Sequence, residues 1–473
     1  MRGRRSAIAL AVAAATAAGC AVGPDYEEPQ IETSAGYLHA YEPGIAPDAT
    51  LVEWWRQFED PELTALIERA LVDNKDIEIA TANLRAARAL LSEGRFEFAP
   101  IVTASGSATR QQSSAAALPI VSAPLSDDYY DVGLDAIWEL DFFGRVRRSV
   151  EALGADYEAQ EATLRDALVS VAAEVARTYM ELRGLQYRLA VAQGNAENQE
   201  QTYRLTQALL EGGRGTDLDI ARAQAQLEAT RATIPPLEAE IARAIHRLGV
   251  LVGRPPADLY QSLIARRELP PLPEIAAVGH PEDLLRRRPD IRVAERELAA
   301  ATARQGVAVA DLFPRVTLTG SFGYLATSTS ELFESRSERY SYGPSISWAA
   351  FDLGRVNARI DAADARAAAA LAAYERAVLA ALEETESAVV RYSRALERQA
   401  RLQIAVFASD KAADLARLRY RNGVDSFLTV LDSERRQLEA QDALASASTD
   451  TALALVAVYK ALGGGWEVAA PAP

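Results

Sequence analysis

Two long stretches of the chain repeat apolar or small residues at alternating steps of three and four, the spacing of helices that pack as coiled coils. The second stretch follows Gly354 and runs for about 65 residues without proline, or about 100 Å of helix at the usual rise. Its repeating positions are Ile360, Ala363, Ala367, Leu371, Tyr374, Val378, Leu382, Thr385, Val389, Tyr392, Leu396, Leu402 and Val406. Asn422 and Gly423 then predict a left-handed turn, and Asp425 or Ser426 the cap of a returning helix. The pattern therefore predicts a long antiparallel helical hairpin.

An earlier part of the chain carries the same unit. Residues 142–146 read Phe-Phe-Gly-Arg-Val and match the Gly-Arg-Val segment 354–356 about 210 residues later. The helical spacing that follows ends at a glycine-rich turn, residues 212–217, and a second helix returns from it. Pro235 and Pro236 predict a bend in that returning helix. We interpret the chain as an internal duplication of one helical hairpin.

A period of two replaces the helical spacing in front of each hairpin. Apolar and polar residues alternate over residues 100–113, 129–141, 314–326 and 340–351, which predicts two pairs of strands about 10 to 14 residues long. Strands of this length suit a membrane β-hairpin, and aromatic residues gather near their ends as they do at a lipid interface. Two hairpins of a soluble sheet are the alternative.

The number of strands restricts these alternatives. Four strands cannot close a barrel, and an open sheet edge cannot sit in lipid because its backbone groups would stay unpaired. The strands therefore form either a soluble sheet or a barrel that is shared between chains. If three chains each supplied four strands, twelve strands would close, and the helices would then form a trimeric tube.

The N-terminus reads as an export signal. Arg2, Arg4 and Arg5 precede an apolar run, residues 7–18. The run ends in Ala-Ala-Gly before Cys20, which resembles the lipidation motif of bacterial lipoproteins. Lipidation of Cys20 is the favoured interpretation, and signal cleavage beside an incidental cysteine is the alternative. No run of about 18 or more apolar residues follows, so the sequence predicts no transmembrane helix.

Composition narrows the possible functions. The 50 basic and 66 acidic residues give a net charge of −16, which disfavours nucleic acid as a partner because phosphate binding needs a basic surface. One cysteine, three isolated histidines and two methionines argue against a disulfide framework and against a Cys-, His- or Met-based metal site within one chain. No motif of a serine hydrolase, a zinc protease or a P-loop enzyme is present. We therefore expect no metal, no cofactor and no enzymatic activity.

Three segments resemble one protein family. Cys20 and Ala21 are followed by Val-Gly-Pro-Asp-Tyr, residues 54–63 read Trp-Trp-Arg-Gln-Phe-Glu-Asp-Pro-Glu-Leu, and residues 281–291 contain Leu-Leu-Arg-Arg-Arg-Pro-Asp-Ile. In this order they resemble the lipoprotein branch (OprM/NodT type) of the TolC-like outer membrane factors, the outer membrane efflux proteins. The resemblance covers nearly the whole chain. It implies a mixed α and β membrane protein: a trimeric 12-stranded transmembrane β-barrel, four strands per chain, continued by a long α-helical coiled-coil barrel with an internal repeat.

The patterns and the resemblance together give an expected order of segments. They are a lipoprotein signal peptide (1–19), a lipid-anchored extended segment (20–60), the first equatorial helices (61–97), the first transmembrane β-hairpin (98–143), the first long helical hairpin (144–250), a linker with equatorial helices (251–311), the second transmembrane β-hairpin (312–352), the second long helical hairpin (353–463) and a flexible tail (464–473). The basic residues 286–288 also invite a phosphate-binding interpretation. A short capped helix whose arginines pair with acidic neighbours is the commoner structure.

The resemblance also implies a function. It indicates the outer-membrane exit channel of a tripartite efflux system, lipid-anchored and extending into the periplasm, which passively conducts small toxic compounds. Its implied partners are two further copies of the chain, a periplasmic adaptor (membrane fusion) protein, an inner-membrane pump of the resistance-nodulation-division type and outer-membrane lipid, but no nucleic acid. A lipid-anchored periplasmic coiled-coil scaffold or adaptor without a pore is the alternative.

The turns of both hairpins are the expected functional sites. Leu428 and Asp432 lie four residues apart on one helix face, so three-fold symmetry would produce an apolar ring and a carboxylate ring. The resemblance places this pair at the family's periplasmic gate, and Asp219 or Arg222 at the corresponding place of the first hairpin could tie the hairpins shut. A core contact for Leu428 and a helix-dipole role for Asp432 are the alternative.

The turn residues themselves are the expected docking surface for the adaptor. By resemblance these residues are Gly213, Gly215, Thr216, Gly423, Val424 and Asp425. Glycine permits close approach of another backbone, but the needs of a tight turn explain the glycines equally well.

Overall fold

The computed structural model describes residues 21–31, 36–37, 45–46, 52–112, 126–273, 276–277, 284 and 286–467. The chain divides into two compact units. Unit 1 comprises Met1–Gln30, Asn83–Glu161 and Val293–Glu375, and unit 2 comprises Ile31–Ala82, Ala162–Arg292 and Arg376–Pro473. The predicted signal peptide, Cys20 and residues 280–283 lie outside the described residues.

The helices follow the predicted order. Their bounds are Pro61–Asp73 (α1), Lys75–Arg95 (α2), Arg145–Glu211 (α3), Asp217–Arg231 (α4), Ile234–Leu251 (α5), Pro256–Leu263 (α6), Pro289–Ala310 (α7), Leu353–Arg421 (α8) and Phe427–Ala461 (α9). Helix α3 has 67 residues and α8 has 69, which confirms the two long helices predicted from the spacing. None of the helices in the described ranges is long and apolar enough to cross a lipid bilayer.

The strands pair within each unit. Their bounds are Ile45–Ala46 (β1), Ile101–Gln112 (β2), Ser126–Glu139 (β3), Ala276–Ala277 (β4), Arg315–Ala326 (β5) and Glu338–Ser347 (β6). In unit 2, β1 and β4 form a short parallel pair. In unit 1 the other strands form an antiparallel four-stranded sheet in the order β2-β3-β5-β6. Each of these four overlaps the segment predicted for it, which confirms the two strand pairs.

The two strand pairs share a detail near the end of their second strand. The indole Nε1 of Trp138 donates to the backbone oxygen of Phe98 over 3.0 Å. The indole Nε1 of Trp348 donates to the backbone oxygen of Leu312 over 3.0 Å as well. In each pair a tryptophan thus fastens the second strand to the residues that precede the first strand, which supports the duplication.

The junctions that lead into the long helices differ between the copies. Gly144 has a φ of 82°, and a Cβ on it would lie 2.6 Å from Ala21. Gly354 lies inside α8, which begins at Leu353, and a Cβ on it would meet no described atom within 4 Å. The two Gly-Arg-Val segments therefore match in sequence but not in geometry, and only the first one requires glycine.

An irregular N-terminal strap, residues 21–30, is held against the first junction of unit 1. The N–H of Val22 donates to the backbone oxygen of Phe143 over 3.1 Å. The guanidinium of Arg148, whose side chain is 4% exposed, donates to the Asp25 carboxylate over 2.5 Å and to the backbone oxygen of Val22 over 3.3 Å. Residues 21–30 form neither helix nor strand, whereas residues 54–58 of the segment predicted to be extended form a 3₁₀-helix.

The first returning helix is interrupted where its prolines predict. Helix α4 ends at Arg231, and α5 begins at Ile234 with Pro235 in its first turn. Proline is tolerated there because the first N–H groups of a helix have no partner within it. The second returning helix, α9, is continuous over 35 residues.

The core of unit 2 surrounds a short 3₁₀-helix, Trp54–Phe58. The Trp54 ring stacks on Tyr459 with 5.0 Å between the centroids, and both side chains are buried. Arg183 is fully buried and donates to the Glu62 carboxylate over 2.6 Å. This ion pair replaces an apolar contact on the buried side of α3.

The basic run at residues 286–288 is used for internal pairing. Arg288 donates to Asp290 over 2.7 Å, to Glu384 over 2.8 Å and to the backbone oxygen of Ala461 over 2.8 Å. Arg287 lies 4.0 Å from Glu467. The acidic pairing expected for this run is thus confirmed at these two arginines.

The segment expected to be a flexible tail begins with packed residues. Gly464 and Gly465 are buried, and the guanidinium carbon of Arg165 lies 4.9 Å from the centre of the Trp466 ring. A Cβ on Gly465 would come within 2.9 Å of Trp55, so this glycine lets the chain pass over the tryptophan. The expectation of a free tail therefore fails for residues 464–467, and residues 468–473 lie outside the described ranges.

Candidate functional site

The turn of the first hairpin is a left-handed cap on α3. Gly213 has a φ of 71°, and its N–H donates to the backbone oxygen of Leu210 over 2.9 Å. The N–H of Arg214 reaches back to the oxygen of Leu209 over 2.8 Å, as in a Schellman motif. A Cβ on Gly215 would lie 2.9 Å from the backbone nitrogen of Leu210. The turn itself therefore requires both glycines.

Thr216 caps the returning helix α4. Its hydroxyl accepts from the N–H of Asp219 over 3.2 Å and donates to the Asp219 carboxylate over 2.8 Å. Asp219, expected at the gate, is thus engaged by its own turn. Burial and, to a lesser extent, this carboxylate raise the pKa of Tyr420. Arg222 is half-buried, and no described residue forms a hydrogen bond or an ion pair with it.

The turn of the second hairpin repeats this backbone geometry. Gly423 has a φ of 72°, and its N–H donates to the backbone oxygen of Tyr420 over 2.8 Å. The N–H of Val424 reaches back to the oxygen of Arg419 over 2.9 Å. Both hairpins therefore end in the same hydrogen-bonded turn, as the duplication predicts.

The start of α9 differs from the start of α4. Ser426 occupies the predicted cap position, but its side chain makes no capping hydrogen bond. The Asp425 carboxylate instead accepts from Arg419 Nε over 2.6 Å, and this bond lowers the pKa of Asp425. The position of the cap is confirmed, whereas a side-chain cap is not formed.

The two turns are in contact. The buried cluster between the hairpins comprises Ala223, Ala416, Tyr420, Phe427 and Val430, with Tyr203, Leu205, Leu209 and Leu431 packed against it. A Cβ on Gly423 would lie 2.7 Å from the guanidinium of Arg214, so a side chain of the first turn covers the second. The residues expected to form the gate and the adaptor surface therefore lie together in unit 2.

Leu428 and Asp432 lie one turn apart on the exposed side of α9. Leu428 is 56% exposed, so it is not a core contact within the chain. The Asp432 carboxylate accepts from Arg435 over 3.0 Å and from Arg436 over 2.9 Å. The carboxylate singled out from the sequence is thus flanked by two cations of its own helix, and this face of α9 is not simply acidic.

The first hairpin presents a similar face with the opposite charge. Aligning the two turns on their glycines pairs Leu218 with Leu428 and Arg222 with Asp432. Leu218 is 56% exposed, the same fraction as Leu428. Each hairpin therefore offers an exposed leucine followed, one turn later, by an ionisable side chain of different sign.

A buried polar network connects α3, α8 and α9. Glu434 is 3% exposed and accepts from Thr202 of α3 over 2.6 Å and from Arg417 of α8 over 2.8 Å. Arg417 also donates to Gln437 over 2.9 Å, and Gln437 donates to Asp410 over 2.9 Å. Charged and amide groups thus replace hydrophobic packing between these helices.

The sequence interpretation missed this network. Val430, Glu434, Gln437 and Gln441 follow the three-four spacing of a buried helix face, so polar residues at core positions were the available signal. Gln441 donates to the same Asp410 carboxylate over 2.7 Å. Their partners lie on other helices, which the local pattern does not identify.

The sheet of unit 1 has two chemically different faces. Residues paired across neighbouring strands share a face, and Ser105, Gly133, Gly323 and Arg339 stand side by side in this way. The face that contains them, which we call the polar face, carries Thr103, Ser105, Ser107, Thr109, Gln111, Asp131, Asp135, Thr317, Thr319, Ser321, Ser341 and Ser345, together with the apolar Ile101, Ile137 and Leu325. Because side chains alternate along a strand, the remaining positions form the opposite face.

The opposite face of the sheet is apolar over most of its length. It carries Val102, Ala104, Ala108, Tyr130, Val132, Leu134, Ala136, Trp138, Val316, Leu318, Phe322, Tyr324, Tyr340, Tyr342 and Ile346. Tyr340 is 70% exposed, Tyr342 82% and Ile346 69%. An apolar face this exposed within one chain is typical of a surface that contacts lipid or another protein.

Metal-ligating side chains do not cluster in the described part of the chain. No group of three or more His, Cys, Asp or Glu residues there could hold a metal ion. A cavity of about 590 Å³ in unit 2 is lined by Tyr187, Arg266, Pro270, Leu396 and Gln399, among others, and neither histidine nor cysteine lines it.

Comparison with known proteins agrees with the two-copy architecture. The sequence model of the outer membrane efflux protein family matches residues 66–254 and 280–464. The probable efflux pump outer membrane protein TtgC of Pseudomonas putida is 33% identical over 468 residues, which cover 98% of this chain and 96% of that protein. The outer membrane protein OprJ of Pseudomonas aeruginosa is 32% identical over 472 residues, which cover 99% and 97%.

A solved structure supports the same assignment. The outer-membrane channel OprN superposes with a TM-score of 0.89 at 45% sequence identity, over 95% of this chain and 100% of that chain. Each of the two family matches contains one helical hairpin of the duplication. The chain belongs to the outer membrane efflux protein family.

Proposed function

We propose that the protein is the exit channel of a tripartite efflux system, a homotrimer that passively conducts small toxic compounds from the periplasm to the exterior. The observation that carries this proposal is a four-stranded sheet with one polar face, one apolar face and two edges without a strand partner among the described residues. Energy would come from an inner-membrane pump of the resistance-nodulation-division type through a periplasmic adaptor.

The sheet suits a barrel that several chains share. Lipid would cover the apolar face, and water would fill the side of the polar face. In lipid an unpaired backbone group costs several kcal/mol, so β2 and β6 would each need a partner strand. Pairing of β6 in one chain with β2 in the next, around a three-fold axis, gives a closed barrel of twelve strands. Helices α3 and α8 would continue it as a coiled-coil tube.

Lipid on Cys20 would anchor the protein in the outer membrane. Cys20 immediately precedes Ala21, which packs against Gly144 at the junction of strand and helix. The contacts of Val22 and Arg148 hold the chain at this junction. The strap would thereby fix the point at which the acyl chains enter the membrane.

The turns of both hairpins would form the periplasmic gate. Three copies of Leu428, with Leu218, would make an apolar constriction that closes by dewetting. Asp432 would add charge one turn away, and Asp219 and Arg222 would help to hold the hairpins together. The adaptor would dock on the turn residues Gly213, Gly215, Thr216, Gly423, Val424 and Asp425.

Native mass spectrometry of the full-length protein, extracted from outer membranes in mild detergent, tests the proposal. We expect a mass of three chains, each with acyl groups. Cys20→Ser should lose the acyl mass and serves as the control. A stable acylated monomer would leave the sheet edges unpaired and would favour the lipid-anchored periplasmic scaffold without a pore.

A further inference from the structure

Ionisable side chains are few on the polar face of the sheet. They are Asp127, Tyr129, Asp131, Asp135, Glu139, Arg315 and Arg339. Toward one end of the sheet, Glu139 pairs with Arg145 over 2.7 Å, and Asp311 pairs with both Arg315 over 2.6 Å and Arg359 over 2.9 Å. Glu139 is the last residue of β3 and Arg315 the first of β5, so both lie away from the middle of the sheet. The charge of the middle of the face is therefore set by Asp131, Asp135 and Arg339.

Arg339 and Asp131 form an ion pair across an intervening strand. Arg339 lies on β6 and Asp131 on β3, with β5 between them, yet Arg339 Nη2 lies 2.6 Å from Asp131 Oδ1 and 2.7 Å from Oδ2. The positions between them are Gly133 and Gly323, and a Cβ on Gly133 would come within 3.7 Å of Arg339 Nη2. The two glycines keep a trough open in which the guanidinium lies.

Among the described residues, none forms an ion pair with Asp135. It lies two residues along β3 from Gly133, and the one described hydrogen bond to its carboxylate is a long one, 3.4 Å, from the Ser105 hydroxyl. Arg339 is within electrostatic reach of Asp135 but gives its hydrogen bonds to Asp131. The middle of the polar face thus carries two carboxylates and one guanidinium, with hydroxyl groups and the apolar Ile137 and Leu325 beside them.

We propose that Asp135 sets the charge preference of the conduction path within the sheet, and that Arg339 limits this preference by neutralising Asp131. Repeated around the shared barrel, the Asp135 carboxylates make the water at the polar face favourable for small cations and unfavourable for small anions. The inference rests on the proposed channel function, because it needs the polar face to line water.

The reactivity of an engineered thiol measures this local potential without depending on the gate. Ser105→Cys places a thiol beside Asp135, and the sequence contains no cysteine other than Cys20. The probes are a trimethylammonium and a sulfonate methanethiosulfonate, added from outside to the full-length protein in cells or proteoliposomes. Their rate ratio, cation over anion, reports the potential at residue 105.

Coulomb's law sets the expected changes. With the charged group of the probe about 7 Å from the Asp135 carboxylate in water, each rate changes about 2.7-fold in opposite directions, so Asp135→Asn should lower the ratio about sevenfold in low salt. Arg339→Gln should raise the ratio about two- to threefold, because the guanidinium is farther from residue 105. Both effects should vanish at 1 M salt, where the screening length is about 3 Å.

Matched variants make the result decisive. Asp128→Asn removes the same charge from the opposite face of β3 and should leave the ratio unchanged, while Asp135→Glu should preserve it. A reactive thiol whose ratio is the same with Asp135→Asn as with Asp128→Asn would overturn this inference alone. A thiol at residue 105 that reacts with neither probe would show that the polar face does not line water, and would overturn the channel proposal as well.

Discussion

The two helical hairpins end in the same turn but are fastened differently beyond it. In the first, Thr216 caps α4 with its side chain, and the returning helix breaks after Arg231. In the second, α9 lacks a side-chain cap and runs unbroken, and Glu434 ties it to α3 and α8 through a buried polar network. Duplication has therefore preserved the backbone of the turn while the contacts that position the helices have diverged.

This difference indicates that the two helical hairpins have different roles. Apolar packing and polar networks both hold helices together, but a polar network also specifies one register because every group needs its partner. The second hairpin carries such a network, together with the exposed pair Leu428 and Asp432. We expect the second hairpin to control the position of the turns. The first hairpin should provide the surface against which the second one packs.

Removing the central carboxylate of the network should have the largest effect on stability. Glu434→Ala removes the buried carboxylate that accepts from Thr202 and from Arg417, whose side chain is 21% exposed and which keeps Asp414 as an ionic partner. Leaving such donors without their acceptor costs about 1 to 3 kcal/mol. The matched position in the first hairpin is Gln224, which is exposed. Thermal unfolding followed by circular dichroism should show a clear drop for Glu434→Ala and almost none for Gln224→Ala. Equal behaviour of the two variants would refute the asymmetry.

Replacing each of the two junction glycines by alanine should change the stability of the protein in opposite directions. Gly144→Ala places an alanine in the left-handed backbone region, which costs about 1 to 2 kcal/mol of stability, and its Cβ would clash with Ala21. Gly354→Ala lies in a helix with free space around it and should stabilise by about 0.5 to 1 kcal/mol. Limited proteolysis of the N-terminal strap in the purified proteins should show faster cleavage for the first variant only. Faster cleavage in both would mean that the junctions are equivalent after all.

Loss of the Asp432 charge at the proposed gate should have a moderate effect on the conductance. Asp432→Ala removes one carboxylate per chain from the proposed constriction. Its ion pairs to Arg435 and Arg436 stay within α9, so their loss should change the stability by only about 0.2 to 1 kcal/mol each. The conductance of the isolated protein in planar bilayers should rise about two- to fivefold in this variant. Arg222→Ala at the matched position is the comparison, and we expect a smaller rise. Unchanged conductance of an intact Asp432→Ala trimer would rule out Asp432 as part of the gate.

Acidification should loosen the second turn slightly and leave the first unaffected. Arg419 lowers the pKa of Asp425, so this contact is present above the unfolded pKa, about 4, and is lost as the pH falls through the lowered value. Amide exchange, corrected for intrinsic rates, should show lower protection at Val424 in acid and no matching change at Arg214. Asp425→Asn should show the lower protection at every pH, and a pH dependence that persists in this variant would exclude the carboxylate as the cause.

Periodicity predicted more of the fold than of the candidate site. Local spacing and the positions of glycine predict the long helices, the strand pairs and both turns. Each is found where the sequence places it. The hydrogen bond between Thr216 and the Asp219 carboxylate does not follow from the spacing, because a local pattern does not show which of the nearby polar groups the carboxylate will contact. Glu434 was missed because its partner Thr202 lies on another helix.

The most direct test of the shared barrel is disulfide formation between the edge strands β2 and β6. Ser105→Cys is combined in turn with Ser341→Cys and with Ser345→Cys, all on the polar face. Ser321→Cys with Ser341→Cys is the control, since these hydroxyl oxygens lie 3.0 Å apart within one chain. A shared barrel predicts covalent dimers and trimers from β2–β6 pairs on a non-reducing gel, and monomers from the control. If the control pair oxidises completely while every β2–β6 pair remains monomeric, the chains do not close the barrel together.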